Sequence, residues 1–135
     1  MKRVIKFRGK TESNKFIYGD LIQYENGDAA LFEKKLTEYG CEATEICRRT
    51  KVNIDTIGQF TGKIDKNKKE IFSGDLLKDQ DGVVYEIWYS EETAAFMAEM
   101  VKPANDMVDI LGGYDTERCF EVIGNIHDNK DLLEH

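Results

Sequence analysis

The carboxylates between residues 106 and 117 are the side chains of this sequence best placed to act together chemically. Asp106, Asp109, Asp115 and Glu117 follow one another closely, and carboxylate oxygens are the ligands that hard cations such as Ca²⁺ prefer. Their spacing matches no calcium-binding loop, and the residues between them are not those that such a loop requires. The pattern therefore favours a solvated acidic loop over a metal site.

The other reactive residue types are isolated along the chain. The chain has three cysteines, Cys41, Cys47 and Cys119, and no Cys-x-x-Cys pair. An odd number of isolated cysteines is typical of reduced cytosolic thiols. His127 lies in a polar segment beside Asp128 and is interpreted as an exposed turn residue rather than an acid–base catalyst. No serine or cysteine has a base apparent in the sequence.

Asp20 and Asp75 each follow a glycine at the predicted start of a strand. An aspartate in this position usually accepts hydrogen bonds from the backbone N–H groups of a turn. We therefore assign both to turn structure. The sequence predicts no catalytic site, and we expect a protein that is not an enzyme and has no cofactor and no metal.

The elements that carry these residues are predicted to be strands. Apolar and polar residues alternate with the period of two that half-buried strands show, and Gly, Asn and Asp separate the alternating runs. Asn26-Gly27 is a strong signal for a two-residue type I′ turn, and Val83–Tyr89, the most β-prone run, should be the centre of the sheet. The predicted strands cover residues 3–10, 16–24, 28–33, 75–78, 83–89 and 119–126.

Three segments are less regular. Residues 33–40 fit either a short helical turn or a loop. In residues 91–100 the Ala, Met and Glu content favours a short helix with Ser90 as its N-cap, and a second strand is the alternative. Pro103, the only proline, should begin an irregular, mobile loop that runs to Gly113.

The stretch from Thr56 to Leu77 organises the chain, with two extended segments joined by a charged turn. Its TIGQFTG and KEIFSGD motifs, at 56–62 and 69–75, resemble the core motif of the YopX-like proteins, a family of phage and prophage proteins in bacteria. Residues 5–10 and 18–21 resemble the family's opening segment, and residues 120–129 its closing one. The motif residues are Gly58, Gln59, Gly62, Gly74 and Asp75.

This resemblance implies a mainly β fold, a small SH3-like barrel or pseudobarrel with an N-terminal β-hairpin region, as one domain over residues 1–132. It favours a strand at 91–100, with α+β containing a short helix there as the alternative. It also implies self-association of identical chains and no established activity. The family usually has Asn-Gly at the central turn, where this chain has Asn67-Lys68, so a two-residue turn would hold Lys68 at positive φ.

Charge divides the chain. Residues 1–69 carry 15 Lys or Arg against 10 Asp or Glu, or +5, and residues 70–135 carry 4 against 16, or −12. We expect an interaction surface in residues 1–69, and the favoured function is a non-enzymatic module that binds copies of itself or a phage or host protein. The alternative is a nucleic-acid-binding accessory protein, which the acidic total disfavours. The predicted basic patch comprises Arg48, Arg49, Lys51, Lys63, Lys66 and Lys69, with Lys68 beside them.

Two further expectations concern organisation and compartment. Phe7-x-Gly9-Lys10 followed by Gly19-Asp20-Leu21 is echoed by Phe60-x-Gly62-Lys63 followed by Gly74-Asp75-Leu76, which predicts a repeated strand–turn–strand unit. No apolar run is long enough to cross a membrane, so we expect a soluble protein of the bacterial cytoplasm. Residues 133–135 are interpreted as the remnant of a purification tag.

Overall fold

The computed structural model describes residues 3–35 and 46–133, which contain eleven β-strands. They fall into two compact units, 1–59 and 60–135. The one α-helix of the described residues, α1 (Thr116–Cys119), is far too short to cross a membrane. The strands are β1 (Phe7–Lys10), β2 (Phe16–Gln23), β3 (Ala29–Lys35), β4 (Ile46–Val52), β5 (Gly58–Ile64), β6 (Glu70–Phe72), β7 (Asp75–Lys78), β8 (Val84–Ser90), β9 (Ala95–Lys102), β10 (Ala104–Ile110) and β11 (Glu121–Asn125).

The first unit is an antiparallel sheet in the order β4-β3-β2-β1, with the first two residues of β5 paired to β1. Alternate residues of its strands point to one side, where Ala29, Leu31 and Val52 are buried together. The predicted N-terminal hairpin is confirmed as β2–β3. The strand predicted from Arg3 begins only at Phe7, because Val4 and Ile5 are more than half exposed.

The second unit holds an antiparallel sheet in the order β10-β9-β8-β7-β11 and the hairpin β5–β6. β8 is the central strand, as predicted. The hairpin packs on the sheet, since Ile71 of β6 shares a core with residues of β7, β8 and β9. That core consists of Ile71, Leu77, Tyr85, Ile87, Ala98, Leu111 and Phe120.

The mainly β class is confirmed, but the described strands form open sheets rather than a closed barrel. In the second unit the sheet ends at β10 on one side and β11 on the other. All seven residues of β10 are exposed. A strand with water on both faces can end a sheet without closing it, and its outer edge can then pair with another strand.

Residues 95–102 form a strand, so the helical alternative for 91–100 is wrong. β9 pairs with β8 on one side and β10 on the other, and these two ladders outweigh the local helix propensity of Ala and Met. The cap-like bond at Ser90 is nevertheless present: the Thr93 N–H donates to Ser90 Oγ at 3.2 Å. It stabilises the turn between β8 and β9.

The predicted loop from Pro103 to Gly113 is wrong for most of its length, because residues 104–110 form β10. The pairing with β9 is made by backbone groups, and both faces are exposed, so the sequence shows no alternation there. α1 replaces the start of the strand predicted from Cys119, and β11 begins at Glu121. The terminal turn at 129–132 is confirmed as a 3₁₀ turn.

The turns predicted as two-residue type I′ are three-residue turns. At Asn26-Gly27 the Tyr24 N–H donates to the Asp28 carbonyl at 2.9 Å and the Gly27 N–H to the Tyr24 carbonyl at 3.0 Å. This is a type I turn followed by one left-handed residue, Gly27 at φ 93°. The turn at Asn67-Lys68 has the same form, with Lys68 at φ 65°. The predicted positive φ of Lys68 is therefore confirmed.

Two predictions lie partly or wholly outside the described residues. They are the choice between helical turn and loop at 33–40, of which only the end of β3 is described, and the role of Cys41. Of the tag interpretation for 133–135, only Leu133 is described.

Candidate functional site

Three residues of the predicted basic patch lie on β4, an edge strand in the described part of the chain. Arg48, Arg49 and Lys51 are exposed. Alternation places Arg48 on the same side as buried Val52 and turns Arg49 and Lys51 to the opposite side. The predicted patch is therefore not one face. It is an edge with positive charge on both sides.

Two acidic residues neighbour the β4 cations on the same sheet. Lys51 Nζ lies 3.7 Å from Asp28 Oδ2, and Arg48 pairs in register with Glu33 of β3. Exposed pairs of this kind contribute at most about 1 kcal/mol. The cations are therefore only weakly held by their own sheet.

The remaining patch residues, Lys63, Lys66 and Lys69, belong to the β5–β6 hairpin of the second unit. Lys63 is half-buried, and Lys66 and Lys69 are exposed in the turn. Lys66 Nζ lies 3.8 Å from Glu121 Oε1. The structure thus divides the predicted patch into two groups, one in each unit.

Asp65 sets the conformation of that turn, a role that the sequence analysis missed. Its carboxylate is buried, with 1% exposure. Oδ1 accepts from the N–H groups of Asn67 and Lys69 at 2.8 Å each, and Oδ2 accepts from the Val122 N–H at 2.8 Å. One side chain therefore shapes the turn and ties it to β11. The recurring Asp-x-x-(Lys or Gly) spacing at Asp65 and Asp79 was the available signal.

The family-motif residues serve the backbone. Asp75 is buried and accepts the Phe72 N–H at 2.7 Å, as predicted, and Gly62 and Gly74 have φ of 86° and 95°. Gly58 is buried and pairs with Arg8, and Gln59 pairs with Phe7. Asp20, by contrast, is exposed within β2 opposite Phe32, so its predicted place at a strand start is wrong.

Three aromatic residues of the second unit, Tyr85, Tyr114 and Phe120, pack together in one cluster. Ring centroids are 5.2 Å apart for Tyr85–Phe120, 5.0 Å for Tyr114–Phe120 and 6.1 Å for Tyr85–Tyr114. The Tyr85 hydroxyl donates to Asp79 Oδ2 at 3.1 Å and the Tyr114 hydroxyl to Asp109 Oδ2 at 3.3 Å. Burial, followed by the Asp79 hydrogen bond, raises the pKa of Tyr85 to about 12.

A cleft of about 220 Å³ opens over this cluster, and the sequence analysis did not find it. The aromatic residues Tyr85, Trp88 and Tyr89 of β8 lie in different surroundings. Tyr85 is in the core, Trp88 donates from Nε1 to Glu99 Oε1 at 3.1 Å, and Tyr89 is 48% exposed beside Phe96.

Glu86 and Glu99 face each other directly across β8 and β9. Desolvation by burial raises the pKa of Glu86 above its usual value, and the charge of Glu99 raises it further. Among the described residues no group of three or more His, Cys, Asp or Glu is arranged to hold a metal ion. Asp109 instead binds Tyr114, and Asp115 lies 3.6 Å from Arg118.

Of the isolated reactive residues, Cys47 is exposed and Cys119 is half-buried. His127 is also half-buried, and its backbone N–H donates to Asn125 Oδ1 at 2.9 Å. The surrounding Asn125–Asp128 turn is thus held by the Asn125 side chain, which also accepts from the Asp128 N–H.

Comparison with known proteins places the chain in a family. The YopX protein family matches residues 6–134. A crystal structure of protein EF1440 from Enterococcus faecalis is similar with a TM-score of 0.61 and 25% sequence identity, covering 98% of this chain and 100% of that one. No curated protein matches. The match extends over nearly the whole sequence, and the chain belongs to the YopX protein family.

Proposed function

We propose that this protein is a non-enzymatic, phage-encoded β module that associates with copies of itself in the bacterial cytoplasm. The basic edge strand β4 of one copy pairs with the acidic edge strand β10 of another. The observation that carries the proposal is the opposite charge of these two exposed edges.

β10 has the properties of an edge strand that can pair with another chain. It pairs with β9 on one side, and the described residues place no strand on the other. Met107, Val108 and Ile110 are 52%, 38% and 51% exposed. An exposed apolar edge strand is an established template for pairing with another chain. The carboxylates of Asp106 and Asp109 make a basic strand the favoured partner.

The spacing of the charges suits simultaneous pairing. Arg48 and Lys51 are three residues apart on β4, and Asp106 and Asp109 are three residues apart on β10. Asp109 lies in the regular part of β10, and Asp106 lies in the irregular stretch between Ala104 and Val108. Counted along the sequence, one antiparallel register brings Arg48 to Asp109 and Lys51 to Asp106, and one parallel register brings each cation to the other carboxylate. Cross-strand pairs of opposite charge each contribute about 0.2–1 kcal/mol.

The same charges oppose pairing between identical edges. Two β4 strands would set cation against cation, and two β10 strands carboxylate against carboxylate, which is destabilising. The contact is therefore heterologous, with a different surface on each partner, and such contacts build rings or filaments. A structural role for Asp65, Asp75 and Asp79, which each accept backbone N–H groups, supports the non-enzymatic proposal.

The experiment is light scattering of the double variant Arg48→Glu, Lys51→Glu at low and physiological salt. We expect the unchanged protein to be an oligomer whose mass falls as salt rises, and the variant to be smaller at both salts. The control is Lys15→Glu, Lys130→Glu, two exposed lysines outside β4, which changes net charge equally and should leave the mass unchanged.

Two results would contradict the proposal. One is an unchanged protein that is monomeric at low salt and high concentration. The other is binding to random-sequence DNA or RNA at physiological salt that the Arg48, Lys51 reversal abolishes while the oligomer mass stays fixed. The second result would support the nucleic-acid reading of the basic residues instead.

A further inference from the structure

The cleft over the aromatic cluster lies entirely within the second unit. The β7–β8 turn contributes Asp79 and Asp81, β8 contributes Tyr85, and the segment from Tyr114 to Phe120 forms the opposite wall. Cys119 also lines it. Pockets for drug-sized ligands usually measure about 300–1,000 Å³, so 220 Å³ accommodates one group the size of a side chain.

The hydroxyl groups at this cleft are oriented as acceptors. The Tyr85 proton is directed to Asp79 and the Tyr114 proton to Asp109. The lone pairs of both phenol oxygens remain available for hydrogen bonds. Because burial and Asp79 raise the pKa of Tyr85 to about 12, this phenol stays protonated and keeps that orientation throughout the physiological pH range.

The charge of the lining is negative. Of the described residues that line the cleft, Asp79 and Asp81 are acidic and none is Lys or Arg. Asp79 Oδ1 already accepts from the N–H groups of Asp81 and Val83 at 2.9 Å each, whereas the Asp81 side chain is exposed at the rim. Arg118, in the segment between Tyr114 and Phe120, does not line the cleft, and its Nε lies 3.6 Å from Asp115 Oδ2. A phosphate or carboxylate would therefore be repelled.

A ligand for this cleft must supply hydrogen-bond donors and positive charge and must pack on aromatic rings. A guanidinium group meets all three conditions: it is planar, carries five N–H donors and is attracted to aromatic faces. We propose that the cleft binds one guanidinium group, with the rings of Tyr114 and Tyr85 beneath it and the Asp81 carboxylate at its open side. This inference does not require the proposed edge pairing, and the two share one residue, Asp109, which accepts the Tyr114 hydroxyl.

The test is NMR of the full chain with ¹³C-labelled tyrosine rings, titrated with N-acetyl-arginine methylamide. The matched control ligand is the citrulline analogue, in which a neutral urea replaces the guanidinium. We expect saturable shifts of the Tyr85 and Tyr114 signals with the arginine compound and none with the citrulline compound. Equal response to both, or no response from a folded protein, would overturn the proposal.

Two variants sharpen the result. Asp81→Asn should weaken binding about fivefold, because a charge-assisted hydrogen bond is roughly twice as strong as a neutral one, and Glu92→Gln, an exposed carboxylate outside the cleft, should leave it unchanged. Equal weakening by both variants would point to general charge attraction and contradict the site. Comparing free arginine with an arginine inside a short glycine peptide then tells whether a small molecule or a polypeptide is the source.

Discussion

Two turns of the second unit share one design and serve different purposes. In both Asp65–Lys69 and Asp79–Val83 the first N–H donates to the last carbonyl, and the aspartate Oδ1 accepts from the third and fifth N–H groups. They differ at Oδ2. In Asp65 this oxygen accepts the Val122 N–H inside the fold, and in Asp79 it accepts the Tyr85 hydroxyl at a cleft. One local motif can therefore support either packing or a candidate site.

The largest expected difference between the turns is the cost of removing the aspartate. Asp65→Ala leaves three backbone N–H groups without their acceptor, one of them on another strand. We expect it to lower the free energy of unfolding by about 3 kcal/mol. Urea denaturation followed by tryptophan fluorescence measures this.

Asp79→Ala is the matched control for that experiment. Its turn is more exposed, so water can replace the carboxylate, and we expect a loss of about 1 kcal/mol. Equal losses for the two variants would mean that the link from Asp65 to β11 contributes nothing.

The two turns also differ at their fourth residue, which has a positive φ in both. It is Gly82, at φ 83°, in the Asp79–Val83 turn and Lys68, at φ 65°, in the Asp65–Lys69 turn. Gly82→Lys should destabilise by about 1 kcal/mol, because a side chain resists the left-handed conformation. Crowding does not contribute, since a Cβ at Gly82 would meet nothing within 4 Å. Thermal unfolding measures the loss, and unchanged stability would show that the turn relaxes to another form.

Lys68→Gly is the reciprocal change, and its effect should be smaller and opposite. Relief of the positive φ is partly offset by the greater freedom of glycine in the unfolded chain, which leaves a gain of about 0.5–1 kcal/mol. Asn67→Gly, which changes a neighbour without positive φ, should not stabilise. A gain from both substitutions would contradict the assignment of the Lys68 effect to relief of its positive φ.

The smallest effect at neutral pH concerns the Tyr85 phenol. Its pKa of about 12 lies above the ordinary 10.0, so between these values the unfolded chain loses its proton first. Stability that is complete below pH 10 should then fall as pH rises toward 12. Asp79→Asn should lower the Tyr85 pKa toward 10, as NMR titration of the labelled ring would show. A pKa unmoved by this change would assign the shift to burial alone.

Local sequence patterns predicted most strands but not how the strands pair or which faces are exposed. Val83–Tyr89 was identified as the central strand because its β propensity and its position agree. The pattern did not predict β10 because a strand with both faces exposed has no alternation. The helix alternative for residues 91–100 follows local propensity, which does not include the two ladders that hold β9.

The candidate sites were harder to predict than the fold. The charges of Arg48 and Lys51 are visible in the sequence, but their division between the two sides of an edge strand depends on the neighbouring strand. The cleft joins residues 79–85 to residues 114–120, and only folding brings these segments together. Nothing local in the sequence points to the hydrogen bond between Asp79 and Tyr85.

The most direct test of the proposed assembly mixes two variants that should each fail alone. Arg48→Glu, Lys51→Glu keeps an acidic β10 but makes β4 acidic, and Asp106→Lys, Asp109→Lys keeps a basic β4 but makes β10 basic. Within each variant both edges then carry the same sign. In the mixture, the acidic edges of one variant can pair with the basic edges of the other.

Sedimentation velocity of each variant alone and of their equimolar mixture is the measurement. The account predicts slowly sedimenting species for each variant and a larger complex, containing both chains, in the mixture. A mixture that sediments as the sum of its separate components, while the unchanged protein is an oligomer, would contradict pairing between β4 and β10.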